Sequence, residues 1–180
     1  QVICVDIDEA KVDKMKAGTV PIYEPGLENM FRKNIDAGRL SFTTQLAEGI
    51  KDAQIIFLAL PTPPGENGSA DLSYVLKVSE HLGDLVNDYK VIVNKSTVPV
   101  GTAEKVEAIL LQKLDTSLFD VVSNPEFLRE GHALKDFMHP DRIVVGLKKD
   151  SNRAKELMNE LYEPFINETS PLLIMNQRSS

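Results

Sequence analysis

Acidic and hydroxyl side chains follow several short apolar runs of this sequence, and they are the first candidates for chemistry. The apolar run Val2–Val5 leads into Asp6. Another run leads into Ser96 and Thr97, and a third is followed by Glu126. A carboxylate can accept hydrogen bonds or a proton, and a hydroxyl can hold a water molecule or an amide. The pattern favours a polar site built from residues at strand ends.

The carboxylate of Asp6 has two interpretations. In a dinucleotide-binding fold, an acid at the end of the second strand binds the ribose hydroxyls and repels a 2′-phosphate, which favours NAD over NADP. Alternatively, Asp6 or Asp8 caps the helix that follows. The glycine-rich loop that would support the first interpretation is expected about 20 residues upstream, whereas the sequence begins at Gln1, inside an apolar run.

Prolines close the next two candidate strand ends. The segment 61–65, Pro-Thr-Pro-Pro-Gly, follows one apolar run and should hold the backbone extended where a ligand would cross the sheet edge. A rigid loop is the ordinary alternative. Ser96 and Thr97 precede Pro99, and their alternative role is to cap the next helix, for which Thr102 is better placed.

The segment 123–131 carries the densest set of chemical groups. Glu126 and Glu130 are four residues apart, and Arg129 lies between them. Together they could supply a general base, a hydrogen-bond acceptor and a cation. A capped helix with a surface i,i+4 arrangement is the alternative, and composition leaves the two interpretations even.

Short apolar runs alternate with segments of helical period along the whole chain. This alternation predicts an α/β fold, a doubly wound and mostly parallel sheet with helices on both faces, whose strands are buried on both faces. Asp71 is the predicted N-cap of the helix that begins at Leu72, and a further helix follows Thr102. The predicted strands are Val2–Val5, Leu40–Thr43, Ile55–Leu60, Val91–Val93, Asp120–Val122, Ile143–Leu147 and Leu172–Met175.

Composition excludes several classes of protein. The 180 residues carry a net charge of −7 and no basic cluster, which argues against a nucleic-acid partner or an anionic membrane. No stretch of about 18 apolar residues suits a membrane span. The three histidines are scattered, so no metal site is expected. Cys4 lies within a predicted strand without a base near it in sequence, so it is not the expected nucleophile.

Taken together, the strand-end segments resemble the N-terminal part of the UDP-glucose/GDP-mannose dehydrogenase family, in the family's order. Members oxidise the C6 hydroxyl of a nucleotide sugar twice, to the carboxylate, with two NAD⁺. Their chemistry runs through an aldehyde, a cysteine thiohemiacetal and a thioester that is hydrolysed. The segments that carry the resemblance are Val5–Asp8, Pro21–Leu27, Leu60–Pro63, Gly68–Leu72, Lys95–Gly101, Ser123–Gly131 and His139–Ile143.

The resemblance implies roles for individual residues. Thr97 would position the catalytic water, and Glu126 would be the general acid/base of the hydrolysis step. Arg129 could neutralise carboxylate or phosphate charge but is not counted as catalytic. Cofactor contacts are implied for Asp6, Lys11, Leu60, Thr62, Pro63, Ser96 and Glu130. Substrate contacts are implied for Glu126, Phe127, Leu128, Arg129 and Glu130.

The resemblance also sets expectations for the whole protein. The segment Pro21–Leu27 favours UDP-glucose as substrate, with GDP-mannose or a UDP-N-acetylhexosamine as the alternative. A catalytically silent nucleotide-binding module is a third possibility, which Thr97 and Glu126 disfavour. Family members act in the cytoplasm and commonly form homo-oligomers.

Three parts of the family pattern are not found in this sequence: the first strand with its glycine-rich loop, the linking helix, and the sugar-binding domain with its nucleophilic cysteine. We therefore expect residues 1–180 to be a fragment of a Rossmann-like NAD-binding domain that lacks its first strand. Without that strand, a gap is expected between Val2–Val5 and Ile55–Leu60. No turnover is expected from these residues alone.

Overall fold

A computed structural model describes residues 1–65 and 68–180 of the chain. Strands and helices alternate through the described residues, as the sequence pattern predicts. The strands are β1 (Val2–Val5), β2 (Leu40–Thr43), β3 (Ile55–Leu58), β4 (Lys90–Asn94), β5 (Phe119–Ser123), β6 (Ile143–Leu147) and β7 (Leu172–Asn176). The α-helices are α1 (Glu9–Lys16), α2 (Leu27–Asp36), α3 (Leu46–Ile50), α4 (Ser73–Leu85), α5 (Thr102–Leu110), α6 (Ala133–Met138) and α7 (Asn152–Tyr162).

The strands form two sheets. β1 and β2 pair in parallel, with Val2 opposite Leu40. The second sheet has the order β3-β4-β5-β6-β7, and all its pairs are parallel except β5 with β6, which meet antiparallel at Ser123 and Gly146. The predicted α/β fold with a mostly parallel sheet is confirmed.

The described chain divides into two compact units. Unit 1 contains residues 1–53 and 127–139, and unit 2 contains residues 54–126 and 140–180. Within the described residues, no helix combines the length and the hydrophobicity that a membrane span requires.

Each unit has its own apolar core. In unit 2, Val91 and Val93 of β4 pack in one cluster with Val145 of β6 and with Met158 and Tyr162 of α7. All five residues of β4 and all five of β6 are buried. Such continuous burial is typical of a parallel strand that helices cover on both faces.

In unit 1, a smaller cluster joins Val12 and Met15 of α1 to Phe42 of β2. Phe31 of α2 stacks on Phe42 with ring centroids 5.3 Å apart. Both helices therefore contribute apolar side chains to the core around β2.

The prediction that every strand is buried on both faces is wrong for β1 and β7. No residue of β7 is buried, and Leu173 and Ile174 are each 38% exposed. Val2, Ile3 and Val5 are 58%, 37% and 37% exposed, and within the described residues β1 pairs along one edge only. A strand with one neighbour and little packing above it keeps its apolar side chains in solvent.

Two predicted helix starts also shift. Asp71 is not the N-cap of α4, because that position belongs to Leu72, but its carboxylate accepts a hydrogen bond from the Ser73 backbone. α5 begins at Thr102 itself, after Gly101, whose φ of +92° suits glycine. The Thr102 hydroxyl donates instead to the Pro99 carbonyl at 2.7 Å.

Glu24 ties two distant segments of unit 1 together. Its side chain is buried, with the residue only 8% exposed, and its two carboxylate oxygens accept hydrogen bonds from the backbone N–H groups of Gly131, at 2.8 Å, and Ala133, at 3.2 Å. The bonds span more than one hundred residues of sequence, so a single carboxylate fixes segment 127–139 to the beginning of the chain.

Replacing Glu24 with Ala should destabilise unit 1, because two partly buried N–H groups lose a charged acceptor. We expect the free energy of unfolding to fall by about 2–3 kcal/mol, measured by urea denaturation. The matched control is Glu28→Ala, which removes an exposed ion pair with Arg32 and should cost no more than about 0.5 kcal/mol. Equal losses in the two variants would contradict this role of Glu24.

Candidate functional site

The predicted site residues are divided between the two units. Asp6, Lys11 and residues 127–130 belong to unit 1. The unit 2 members are Leu60, Thr62, Pro63, Ser96, Thr97 and Glu126.

Asp6 stands directly after β1, and its carboxylate already has two partners. One oxygen accepts from the Asp8 backbone N–H at 3.1 Å, and the other binds the Lys11 ammonium. Partial burial acts to raise the pKa of Asp6, but these partners outweigh it and hold the pKa below its ordinary value. Asp6 is therefore ionised at neutral pH.

The helix-capping alternative falls to Asp8, whose carboxylate accepts from the Lys11 backbone N–H at the start of α1. Asp6 is thereby left for another role. An ionised carboxylate has about four acceptor positions, so the bonds from Asp8 and Lys11 leave room for further donors such as a ribose hydroxyl. The residues present thus fit the ribose of a dinucleotide.

Ser96 fastens the loop after β4 to the loop after β3. Its hydroxyl oxygen accepts from the Leu60 backbone N–H at 2.9 Å and donates to the Leu60 carbonyl, 2.7 Å away. The Thr62 hydroxyl donates to the Thr97 carbonyl at 3.1 Å. The side chains of two candidate residues therefore shape the loops, while Thr97 and Pro63 are exposed.

Glu126 follows a segment that the buried side-chain amide of Asn124 holds in place. Asn124, only 1% exposed, donates through Nδ2 to the Val144 carbonyl at 2.7 Å, and its Oδ1 accepts from the Tyr162 hydroxyl. The same oxygen accepts from Lys95 Nζ at 3.3 Å. Glu126, two residues further on, is half-buried.

The Lys95 ammonium also interacts electrostatically with the Glu126 carboxylate. Burial lowers the pKa of Lys95, and the negative charge of Glu126 partly offsets that effect by favouring the ammonium form. A cation therefore stands in the electrostatic neighbourhood of the candidate general base.

Residues 126–129 form neither helix nor strand, so the alternative of a capped helix at Glu126 and Glu130 is wrong. Pro125 disfavours a helical backbone at Asn124, the residue before it. Phe127 and Leu128 are 50% and 38% exposed, which leaves apolar surface available in this part of unit 1.

Asp136 holds Arg129 in a fixed position. Its carboxylate accepts from the Arg129 backbone N–H at 3.0 Å and from the guanidinium Nε and Nη2 at 3.0 and 2.7 Å. The hydrogen bonds from Arg129 lower the pKa of Asp136 to about 2. Arg129 thus already has a carboxylate partner within its own segment.

Other candidate chemistry is weak in the described ranges. No group of three or more His, Cys, Asp or Glu residues there is arranged to hold a metal ion. Burial raises the pKa of the Cys4 thiol, an effect that Lys11 partly offsets, so the thiolate is disfavoured.

Sequence reasoning missed four residues that the structure brings into prominence: Glu24, Asn94, Lys95 and Asn124. Glu24, Lys95 and Asn124 lie in the motif segments, so their position in those segments was the available signal. Asn94 ends an apolar run, and a polar residue in a buried strand was its signal.

Known proteins resemble the chain along its whole length. The profile of the UDP-glucose/GDP-mannose dehydrogenase family, NAD binding domain, matches residues 1–166. The UDP-glucose 6-dehydrogenase of Pseudomonas aeruginosa is 47% identical, over 100% of this chain and 40% of that enzyme. The chain thus spans about two fifths of the length of this curated relative.

Solved structures agree. A UDP-glucose dehydrogenase from Pyrobaculum islandicum superposes with a TM-score of 0.91 at 38% identity, covering 99% of this chain and 41% of that one. A GDP-mannose dehydrogenase from P. aeruginosa gives 0.88 at 31% identity, again over 99% and 41%. The fold is that of the Rossmann-like NAD-binding domains of dehydrogenases. The chain belongs to the UDP-glucose/GDP-mannose dehydrogenase family, and NAD is its cofactor.

The Ser96 hydroxyl should matter for stability and the Thr97 hydroxyl should not. Ser96→Ala leaves the Leu60 N–H and carbonyl without this partner, and we expect the free energy of unfolding to fall by about 1–2 kcal/mol. Thr97→Ala, at the adjacent exposed position, should change it by no more than about 0.5 kcal/mol. Denaturant melts of the two variants provide the comparison, and an equal response would contradict the role of Ser96.

The Asp136 carboxyl should titrate near pH 2. Because its folded-state pKa lies below the unfolded-state value of about 3.9, its stabilising effect is complete above that value and is lost as the pH falls toward 2. Carboxyl ¹³C shifts followed by NMR measure this pKa. In Arg129→Gln the pKa should rise toward about 4, and an unchanged value would show that Arg129 does not cause the shift.

Proposed function

We propose that the protein is an NAD-dependent dehydrogenase that oxidises the C6 hydroxyl of UDP-glucose to a carboxylate in two successive oxidations. The observation that carries this proposal is the 47% identity, over the whole chain, to a UDP-glucose 6-dehydrogenase. The residues described above would bind the cofactor, activate the water of the hydrolysis step and contact the nucleotide sugar.

Asp6 would bind the ribose hydroxyls of the cofactor. Its ionised carboxylate disfavours a 2′-phosphate and so prefers NAD to NADP. NAD, when bound, accepts a hydride in each oxidation. Lys11 would contact the cofactor beside Asp6 while it orients that carboxylate. The remaining proposed cofactor contacts are Leu60, Thr62, Pro63, Ser96 and Glu130.

Thr97 and Glu126 would handle the water of the hydrolysis step. The exposed hydroxyl of Thr97 can accept a hydrogen bond from a water molecule and orient it. The Glu126 carboxylate would take the proton as the water oxygen attacks. The Lys95 ammonium interacts electrostatically with the Glu126 carboxylate and would help to hold it in place.

Segment 127–130 would contact the nucleotide sugar. Phe127 and Leu128 offer exposed apolar surface, and Arg129 and Glu130 offer hydrogen-bonding groups of both charges. The Asp136 carboxylate fixes the Arg129 guanidinium, so it would reach the sugar in one orientation. Glu126 would complete the set of substrate contacts.

A second candidate is the oxidation of GDP-mannose. The 31% identity and TM-score of 0.88 with a GDP-mannose dehydrogenase favour it over more distant sugars. We further propose that the protein acts in the cytoplasm as a homo-oligomer, as the family resemblance implies.

A substrate panel distinguishes these candidates. The complete gene product is assayed with UDP-glucose, GDP-mannose and a UDP-N-acetylhexosamine, each with NAD⁺ and with NADP⁺. We expect UDP-glucose with NAD⁺ to give the highest kcat/KM and two NADH for each uronate formed. A preference for GDP-mannose would change the assigned substrate from UDP-glucose to GDP-mannose. If none of the sugars is oxidised, the proposed function is overturned.

Glu126→Gln should slow overall oxidation by a factor of about 10²–10⁴, the usual contribution of a general base, because the amide cannot accept the proton. Steady-state kcat with UDP-glucose measures the loss. The matched control is Glu80→Gln on the exposed surface of α4, which makes the same chemical change and should leave kcat unaltered. An unaltered kcat in Glu126→Gln would exclude this role of Glu126.

A further inference from the structure

A cavity of about 90 Å³ lies in unit 2 at the carboxyl ends of β4 and β5. The loop 96–101 and the first turn of α5 form one side. Ser123, Asn124 and Pro125 form another, and Gln177 and Ser180 also line it.

Asn94 is one of the residues that line this cavity, and it is only 3% exposed. Neither its Nδ2 nor its Oδ1 has a hydrogen-bond partner among residues 1–65 and 68–180. Buried side-chain amides in folded proteins are almost always paired with protein or with ordered water. Asn94 therefore has a buried donor group and a buried acceptor, and both are unsatisfied unless a ligand binds them.

Neighbouring side chains have already used their hydrogen bonds elsewhere. The Asn124 amide is bound to Val144, Tyr162 and Lys95. The Thr102 hydroxyl donates to the Pro99 carbonyl, and Gln177 Nε2 donates to the Val121 carbonyl. The partner of Asn94 must therefore come from the cavity.

The chemistry of Asn94 selects the ligand. The occupant must accept a hydrogen bond from Nδ2 and donate one to Oδ1, so a simple anion or a metal cation would satisfy only one of the two atoms. A water molecule does both. The cavity is several times the roughly 10–15 Å³ that one water needs, so it can hold a small cluster.

The N-terminus of α5 adds donors at the same place. The first backbone N–H groups of a helix have no acceptor within the helix. In α5 the Thr102 N–H donates to the Pro99 carbonyl at 3.2 Å, and the N–H group of Ala103, a residue that lines the cavity, comes next. Water bound to Asn94 can also accept from the Ala103 N–H group. Such water would link the end of β4 to the start of α5.

We propose that this cavity is a binding site for ordered water, anchored by the Asn94 amide, and that the bound water holds loop 96–101 in place. Thr97 lies on this loop and lines the cavity. Asn94 is then a positioning residue that acts on Thr97 through water. This consequence for catalysis rests on the proposed function, whereas the water site itself does not.

The first test is a high-resolution crystal structure of the complete gene product with NAD. We expect ordered water within hydrogen-bonding distance of both Asn94 Nδ2 and Oδ1. Absence of such water would overturn the site. A carboxamide of the cofactor, or a side chain from elsewhere in the protein, bound to Asn94 would overturn it as well.

The second test compares three variants. Asn94→Leu keeps the size of the side chain but removes both polar groups, so the water should be lost and kcat should fall by about tenfold to a hundredfold, the scale for a misplaced catalytic group. Asn94→Ser retains a donor and an acceptor and should keep the water and most of the activity. Ile92→Val truncates a buried neighbour on β4 and should leave both unchanged.

The readout that separates positioning from simple destabilisation is pre-steady-state NADH formation. If Thr97 is displaced, hydrolysis slows after the oxidations, and Asn94→Leu should show a burst of NADH with an unaltered KM for NAD⁺. An unchanged kcat without a burst would overturn the positioning role. If the wild type oxidises no nucleotide sugar, the proposed function fails, and the crystal structure alone decides the water site.

Discussion

Asn124 makes the hydrogen bonds on which the architecture of unit 2 depends. In the described residues β5 and β6 run antiparallel and pair at Ser123 and Gly146, which leaves a short ladder between them. The bond from Asn124 Nδ2 to the Val144 carbonyl extends this connection through a side chain. Because the amide oxygen also binds Tyr162 of α7 and Lys95 after β4, one buried group joins three strands and a helix.

Single side chains that make several hydrogen bonds also position the polar groups of the candidate site. Asn124 determines the direction in which Pro125 and Glu126 leave β5, and Ser96 determines how the loop after β4 meets Leu60. In unit 1, carboxylates do the equivalent work: Glu24 binds backbone N–H groups, and Asp136 binds Arg129. The loops that carry the candidate site residues are therefore fixed by side chains rather than by strand pairing.

Much of the fold could be predicted from local sequence. Leu40–Thr43 and Ile143–Leu147 were bounded correctly, because short runs that contain β-branched and aromatic residues favour a strand over a helix. The burial of β1 and β7 was predicted wrongly, because burial depends on neighbours that a strand's own residues do not specify. Asp8 took the capping role because its spacing to Lys11 matches a helix start.

The candidate site was predictable only in its residue types. Asp6, Ser96 and Glu126 stand out because polar residues follow apolar runs. The hydrogen bonds that join distant segments are not visible in the sequence. Ser96 binds Leu60 across 36 residues, and Glu24 binds Gly131 across 107. Contacts at such separations leave no periodicity in the sequence, and only a folded chain reveals them.

Gly146 of β6 is in close contact with Gln177 and Ser180, near the end of the described chain. A Cβ atom placed there would come within 2.2 Å of the Ser180 hydroxyl oxygen and 3.0 Å of the Gln177 Cα. The turn that contains these two residues rests on β6 only because position 146 has no side chain, and both residues line the cavity beside Asn94. A single methyl group at Gly146 would therefore displace Gln177 and Ser180 without replacing any polar residue. Substitution at this one position would change the volume of the cavity.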